Sequence, residues 1–180
     1  MTKFEELCGL FSENMQAYHE YEKEAWALAE KIKNKMVQYF GIPSDQREED
    51  YLKTIPPGNY NLALTYTIPG SVHLEDDGFW HFGLVLVIRE SPKVIAPIEN
   101  VLIHLKFKLD NDKYRVFWGA DQSIEIENDT QIDTLVEKLF ALLKNRYENY
   151  APLLYKELNP EKSGVKAYRV LGLSQLFLTI

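Results

Sequence analysis

The sequence predicts an α+β protein: an antiparallel β-sheet of about five strands packed by a long N-terminal helix and by a second helix in the C-terminal half. Three observations carry that prediction. Apolar residues recur at seven-residue spacing through the first 40 positions. The stretch from about 60 to 126 reads as short alternating or continuously apolar runs separated by turn residues, and three- and four-residue spacing returns after 130. A helix, a run of strands and a helix make the order of a sheet with helices gathered on one face. One domain, residues 1–180, is expected.

The first helix is expected over about residues 2–40. Thr2 followed by Glu5 forms a capping-box start, in which each side chain satisfies an orphan amide of the first turn. Gly41 and Pro43 form the stop, because glycine tolerates a left-handed cap and proline cannot continue the helix. Such a helix is roughly 57 Å long at about 1.5 Å per residue. A core of this size needs less, so part of the helix is expected to project or to meet a partner. One apolar series runs Phe4, Phe11, Tyr18, Ala25, Ile32, Tyr39, and a second runs Leu7, Asn14, Tyr21, Leu28, Lys35. Only Asn14 and Lys35 interrupt the stripe, while Met15, Trp26 and Met36 widen it beyond a narrow coiled-coil seam. Gly9 costs about 1 kcal/mol relative to alanine in a helix interior, which makes Ser12 an alternative start. Phe11, Tyr18, Tyr21, Ala25, Leu28 and Ile32 are the candidate interface residues. The competing reading lays the same stripe across the protein's own sheet.

Residues 43–59 read as an acidic linker ending in Pro56-Pro57-Gly58-Asn59, which resets the chain direction. Four strands are expected next: Tyr60 to Ile68, Phe79 to Ile88, Ile98 to Leu109 and Lys113 to Ile126. The second of these is apolar at nearly every position, as a central strand covered on both faces should be. Asp110-Asn111-Asp112 is hairpin chemistry, since Asn and Asp tolerate positive φ. A second helix over about 130–150, capped by Asp129 or Thr130, places Ile132, Leu135, Val136, Leu139, Phe140, Leu143 and Tyr147 on one face. The tail over about 165–180 is expected to be a further strand tucked into the sheet, because so apolar a stretch left exposed invites aggregation.

If Asn111 and Asp112 make a two-residue turn, Asp110 faces Lys113, Leu109 faces Tyr114 and Lys108 faces Arg115. Ile103, Leu105, Phe107, Leu109, Tyr114, Val116 and Trp118 then share a core face. His104, Lys106, Lys108 and Arg115 collect on the other, with Phe117. Like charges opposed on a sheet are mildly destabilising. This basic stripe is therefore a candidate anion-binding site, unless carboxylates such as Glu125 and Glu127 offset it.

Composition narrows the function classes. The net charge of -7 repels phosphate backbones at long range, so nucleic acid is an unfavoured partner. The single Cys8 cannot form an intrachain disulfide or a cysteine-rich zinc site, and it reads as a small packing residue on the first helix. MTKFEELC lacks the basic start and apolar stretch of a signal peptide, and no apolar run is long enough to span a bilayer, so a cytoplasmic protein without membrane contact is expected. His19, His73, His81 and His104 show no metal-ligand spacing, and neither a nucleophile elbow nor a phosphate-cradling glycine loop is present. No cofactor or metal is expected. His81, between Trp80 and Phe82, reads as a core or interfacial histidine.

The element order loosely resembles the restriction-endonuclease-like family, which sets an acidic residue on one strand and an acidic-x-Lys triplet on the next. Here Lys106 is preceded two positions earlier by His104, and Glu99 is followed two positions later by Val101, so the triplet fails in both places. A metal-dependent hydrolase or nuclease would have to use Asp76, Asp77 and a lysine. The first expectation is instead a non-enzymatic interaction module or accessory protein that binds a protein partner, or itself as a homodimer, through the helix-1 stripe. In composition alone it resembles secretion chaperones and toxin-immunity proteins. The alternative is a small-molecule binding domain with a cavity between sheet and helix, walled by Trp80, Phe82, Phe117 or Trp118.

Overall fold

A computed structural model describes the backbone of residues 2–43, 47–58, 61, 64–89, 98–119 and 121–158, and the side chains of these, Ile98 excepted, as far as residue 149. The architecture is α+β. Helix α1 (Lys3–Phe40) begins at the capping box: the Thr2 hydroxyl accepts from the Glu5 amide, and the Glu5 carboxylate accepts from the Thr2 amide. It ends at Gly41, whose φ of 62° is the left-handed cap. Gly9 does not delay the start. A 3₁₀ turn (Glu48–Asp50) leads into β1 (Leu52–Ile55). A short helix α2 (Ile68–Ser71), β2 (Val72–Leu74), β3 (Trp80–Arg89), β4 (Ile98–Asp110), β5 (Lys113–Phe117), β6 (Ser123–Ile126) and α3 (Asp129–Leu158) follow.

The six strands form one antiparallel sheet in the order β1-β3-β4-β5-β6. β2 shares β3 with β1: β1 pairs with Gly83–Leu86 and β2 with Trp80–Phe82. One face carries Trp80, Phe82, Leu84, Val101, Leu105, Phe107 and Val116 against Ala25, Leu28, Ala29, Ile32 and Met36 of α1 and Ile132, Leu135, Val136 and Leu139 of α3. The other face has a smaller apolar cluster, Ile55, Val85 and Val87, packed by Tyr66 and Leu102.

Four expectations need correction. β1 lies inside the stretch read as linker, because its few residues stand between an acidic run and two prolines and offer no periodicity to detect. In the described part of the stretch read as a strand over 60–68, residues 64–67 are not in a strand and Ile68 starts α2. This segment runs along the free edge of β1 instead: the Tyr66 amide donates to the Thr54 carbonyl at 2.9 Å, and the Thr54 hydroxyl donates to the Tyr66 carbonyl. The run 113–126 is two strands, split at residues 118–122. The second helix reaches Leu158 past Pro152, and its cap is Asn128, whose side chain accepts from the Thr130 amide while Gln131 reaches back to the Asn128 amide. The strand expected over 165–180 lies outside the described residues.

The two long helices lie side by side and run the same way. Lys31 meets Asp129 at 3.4 Å, Lys35 meets Asp133 at 2.9 Å, and Phe140 packs on Tyr39 and Phe40. Arg146 then ties α3 to β4 through Glu99 at 3.0 Å. These contacts involve only the C-terminal half of α1.

Candidate functional site

Helix α1 divides at Tyr21. From Thr2 to Glu20 every residue is exposed, and the first buried residue is Ala25. Yet the apolar face is continuous. At about 100° per residue, Phe4, Leu7, Phe11, Met15 and Tyr18 lie on the same side as Ala25, Leu28, Ala29, Ile32 and Met36. The latter five are sealed against the sheet. The former overhang its end, with Phe4 74%, Phe11 67% and Leu7 64% exposed. The six candidate interface residues therefore separate. Ala25, Leu28 and Ile32 are core residues, Phe11 and Tyr18 are on the surface, and Tyr21 is the boundary. Cys8, read as a packing residue, is exposed on the overhanging half.

The end of the sheet beneath the overhang is aromatic. The Tyr21 ring meets Trp80 edge-on at 5.4 Å between centroids, and Tyr18 lies 6.2 Å from the same indole. The Tyr21 hydroxyl accepts from the Leu109 amide at 3.2 Å, while Tyr114 donates to Glu24 at 3.3 Å. Burial and the Glu24 charge hold the Tyr114 hydroxyl far above the usual tyrosine range, so it stays a donor. Leu74 and Leu109, which share this face with Trp80, remain 40% and 39% exposed. The overhanging stripe and this sheet end make one apolar surface. Phe4, Leu10, Leu74 and Leu109 were not among the candidate residues, because exposure is invisible in a periodicity that runs unbroken into the core.

The basic stripe lies on the outer face in the register expected for it: Asp110 opposite Lys113, Leu109 opposite Tyr114, Lys108 opposite Arg115. Asn111 and Asp112 adopt φ of 51° and 63°, the left-handed pair of a two-residue hairpin turn. Carboxylates surround the charge. Arg115 meets Glu125 at 2.7 Å and Asp110 at 3.8 Å, Lys113 pairs with Glu127, and Lys106 reaches Asp77 at 3.6 Å. Lys106 and Lys108 also lie over the Phe79 ring, at 4.7 and 5.0 Å. Such exposed pairs are each worth about 0–1 kcal/mol, but together they remove the like-charge conflict.

Sequence spacing gave no sign of the group at the other end of this stripe. His81 Nδ1 lies 2.9 Å from His104 Nε2, and His81 Nε2 lies 3.0 Å from Asp77. The three residues come from the β2–β3 turn, β3 and β4, and meet because Gly83, opposite His104, puts no side chain between them. His81 Nε2–H donates to the Asp77 carboxylate, and the hydrogen bond between His81 Nδ1 and His104 Nε2 takes its donor from whichever of those two nitrogens carries the proton. Loss of water on one side of the His104 ring, together with the His81 and Lys106 charges, lowers its basicity below the usual histidine value. Partial desolvation raises the Asp77 carboxyl, but the His81 ring, the Phe79 amide and Lys106 outweigh it and hold it below the ordinary range. His81 is thus a hydrogen-bonded sheet-face residue rather than a core one.

Among the described residues no three His, Cys, Asp or Glu side chains stand close enough to hold a metal ion, and no helix is long and apolar enough to cross a membrane. A cavity of about 470 Å³ lies between the β5–β6 connection and α3, lined by Trp118, Gln122, Ser123, Lys138, Leu142 and Asn145. Of the four aromatics expected to wall a cavity, Trp118 alone lines this one. Trp80 and Phe82 are core residues, and Phe117 lies on the outer face against Phe79. Compared with protein-family models, curated proteins and solved structures, the chain matches none.

Proposed function

We propose that this protein is a non-enzymatic interaction module whose working surface is the overhanging half of α1. One observation carries the reading: the face that α1 uses to seat its own sheet continues, apolar and uncovered, for five helical turns beyond it. The largest apolar patch of an ordinary monomer is on the order of 300–600 Å², and patches at or beyond that size mark binding sites. Phe4, Leu7, Leu10, Phe11, Met15 and Tyr18 together present about that much before Leu74 and Leu109 are added. Most helical stability in proteins comes from packing of an apolar face, and the overhanging turns receive little of it from their own sheet. Packing on a partner supplies what the sheet supplies to the other half.

The test is an association assay with wild type and the Leu7→Glu/Phe11→Glu variant as baits, against the purified protein itself and against a cell extract. The expected result is an association, with either class of target, that the double variant loses. Equal behaviour of the two baits toward both targets would remove this reading.

A further inference from the structure

Resting on that reading, we propose that the occupant of the stripe is a second copy of this chain, paired antiparallel through residues 4–18 about a twofold axis near Phe11. Orientation follows from the fold. The exposed and buried parts of the stripe share one side of α1, so a helix laid along it parallel would run on from residue 18 into Trp80 and the sheet. An antiparallel helix escapes this clash, since its own sheet lies beyond the first copy's N-terminus. The overlap is then limited to the uncovered turns of each copy.

Spacing makes the stripe complementary to itself. Phe4 and Tyr18 stand seven residues on either side of Phe11, and Leu7 and Met15 stand four on either side. In the antiparallel pair Phe11 meets Phe11, Leu7 meets Met15, and Phe4 arrives opposite Tyr18 of the other copy. Both partners thus use the same patch, as a twofold interface requires. Phe4 comes to the open apolar ground around Tyr18, Tyr21, Trp80, Leu74 and Leu109, where two leucines stand about two-fifths exposed.

Charge permits the pairing although each chain carries -7. Glu5, Glu6, Glu13 and Glu20 all point to the side of the helix away from the stripe. The positions flanking it carry Cys8, Ser12 and His19 on one side and Leu10 and Ala17 on the other, with Lys3 at the end. Flanking charges usually decide which helices reject each other, and here no carboxylate occupies them. Area is of the right order as well. Withdrawing the whole patch from both copies removes at most about 1,200 Å², the lower end for a specific interface, which fits a dimer that dissociates on dilution.

Light scattering on a sizing column across a concentration series is the test. Wild type is expected near 42 kDa, twice the chain mass of 21.0 kDa, shifting toward 21.0 kDa on dilution. Phe11→Glu, with the milder Leu7→Ser as a second variant, is expected to weaken the dimer at least tenfold while the urea midpoint of the monomer stays unchanged. Orientation is read by mild oxidation. Met15→Cys, which lies on the same flank of the seam as Cys8, is expected to cross-link to Cys8 of the other copy, and the same variant carrying Cys8→Ser is not. A mass of 21.0 kDa at every concentration, a dimer indifferent to both substitutions, or rapid Cys8–Cys8 cross-linking of wild type (a parallel pair) would each overturn the proposal. If wild type is monomeric yet captures a different protein through Leu7 and Phe11, self-pairing fails and the interaction reading stands. A monomer with no stripe-dependent capture ends both.

Discussion

The Tyr21 hydroxyl accepts a hydrogen bond from the Leu109 amide at 3.2 Å, and that bond marks the place where α1 leaves its sheet. On one side of it the helix is held by Trp80, Phe82 and the whole inner face. On the other side it is held by its capping box and its own backbone. The same seven-residue pattern runs through both halves, so side chains of one kind have opposite energetic roles on either side of a single contact. Four predictions follow from particular residues.

The division of α1 predicts a sharp contrast between two truncations. Ile32 is fully buried, and Ile32→Ala is expected to cost about 2–5 kcal/mol through lost burial and the cavity left behind. Phe11→Ala, at concentrations where the protein is monomeric, is expected to stay within about 0.5 kcal/mol of wild type. Urea denaturation of the two variants checks this. A large loss in the Phe11 variant would mean that its ring packs on the protein's own chain.

Two glycines make an opposite pair. A Cβ at Gly83 would stand 2.6 Å from the Ile55 carbonyl oxygen, where β1 presses onto β3, so Gly83→Ala is expected to destabilise by about 1–3 kcal/mol. A Cβ at Gly9 would meet nothing within 4 Å, so Gly9→Ala is expected to strengthen the overhanging helix by up to about 1 kcal/mol. Urea midpoints measure the first, and helicity by circular dichroism measures the second.

In the hairpin turn, Asp112 holds φ of 63° at a position where glycine carries no steric penalty. Asp112→Gly is expected to raise stability by about 0.5–1 kcal/mol, read as an upward shift of the thermal midpoint. A fall would show that the Asp112 side chain makes a contribution exceeding the backbone strain.

The paired histidines give stability a pH dependence whose sign can be stated. His104 holds its proton less tightly in the folded protein than its ordinary value of 6.5, so below that value the unfolded chain binds the extra proton first. Stability is therefore complete above about pH 6.5 and falls as the pH drops toward the folded value. The groups facing His104 are His81, Lys106, Asp77 and Glu75. Asp77, whose folded value is depressed, adds a separate loss in the acid range below its ordinary 3.8. Urea midpoints at pH 7.5 and 5.5 are expected to differ in wild type and to converge in His104→Gln. An equal difference in the variant would assign the dependence elsewhere.

Much of the fold was legible because local chemistry decided it. Thr2 and Glu5 announce the start of α1, Gly41 its stop, and Asn111-Asp112 the hairpin and its register, each through contacts spanning a few residues. β1 and β2 left no comparable signal. They are short, they hang on the edge of β3, and their pairing exists because β3 offers an edge to both.

The sequence by itself determined the α+β class, the long stripe of α1, the β4–β5 register and the grouping of His104, Lys106, Lys108 and Arg115 on one face. All of these follow from residue periodicity and turn chemistry within one or two adjacent elements. Only the tertiary structure decided that Ala25, Leu28 and Ile32 are core while Phe4, Leu7 and Phe11 are surface, that carboxylates surround the basic stripe, and that Asp77, His81 and His104 meet. Periodicity records which face of a helix is apolar. Where the sheet beneath that face ends is a property of strands encoded elsewhere in the chain, and exposure depends on both.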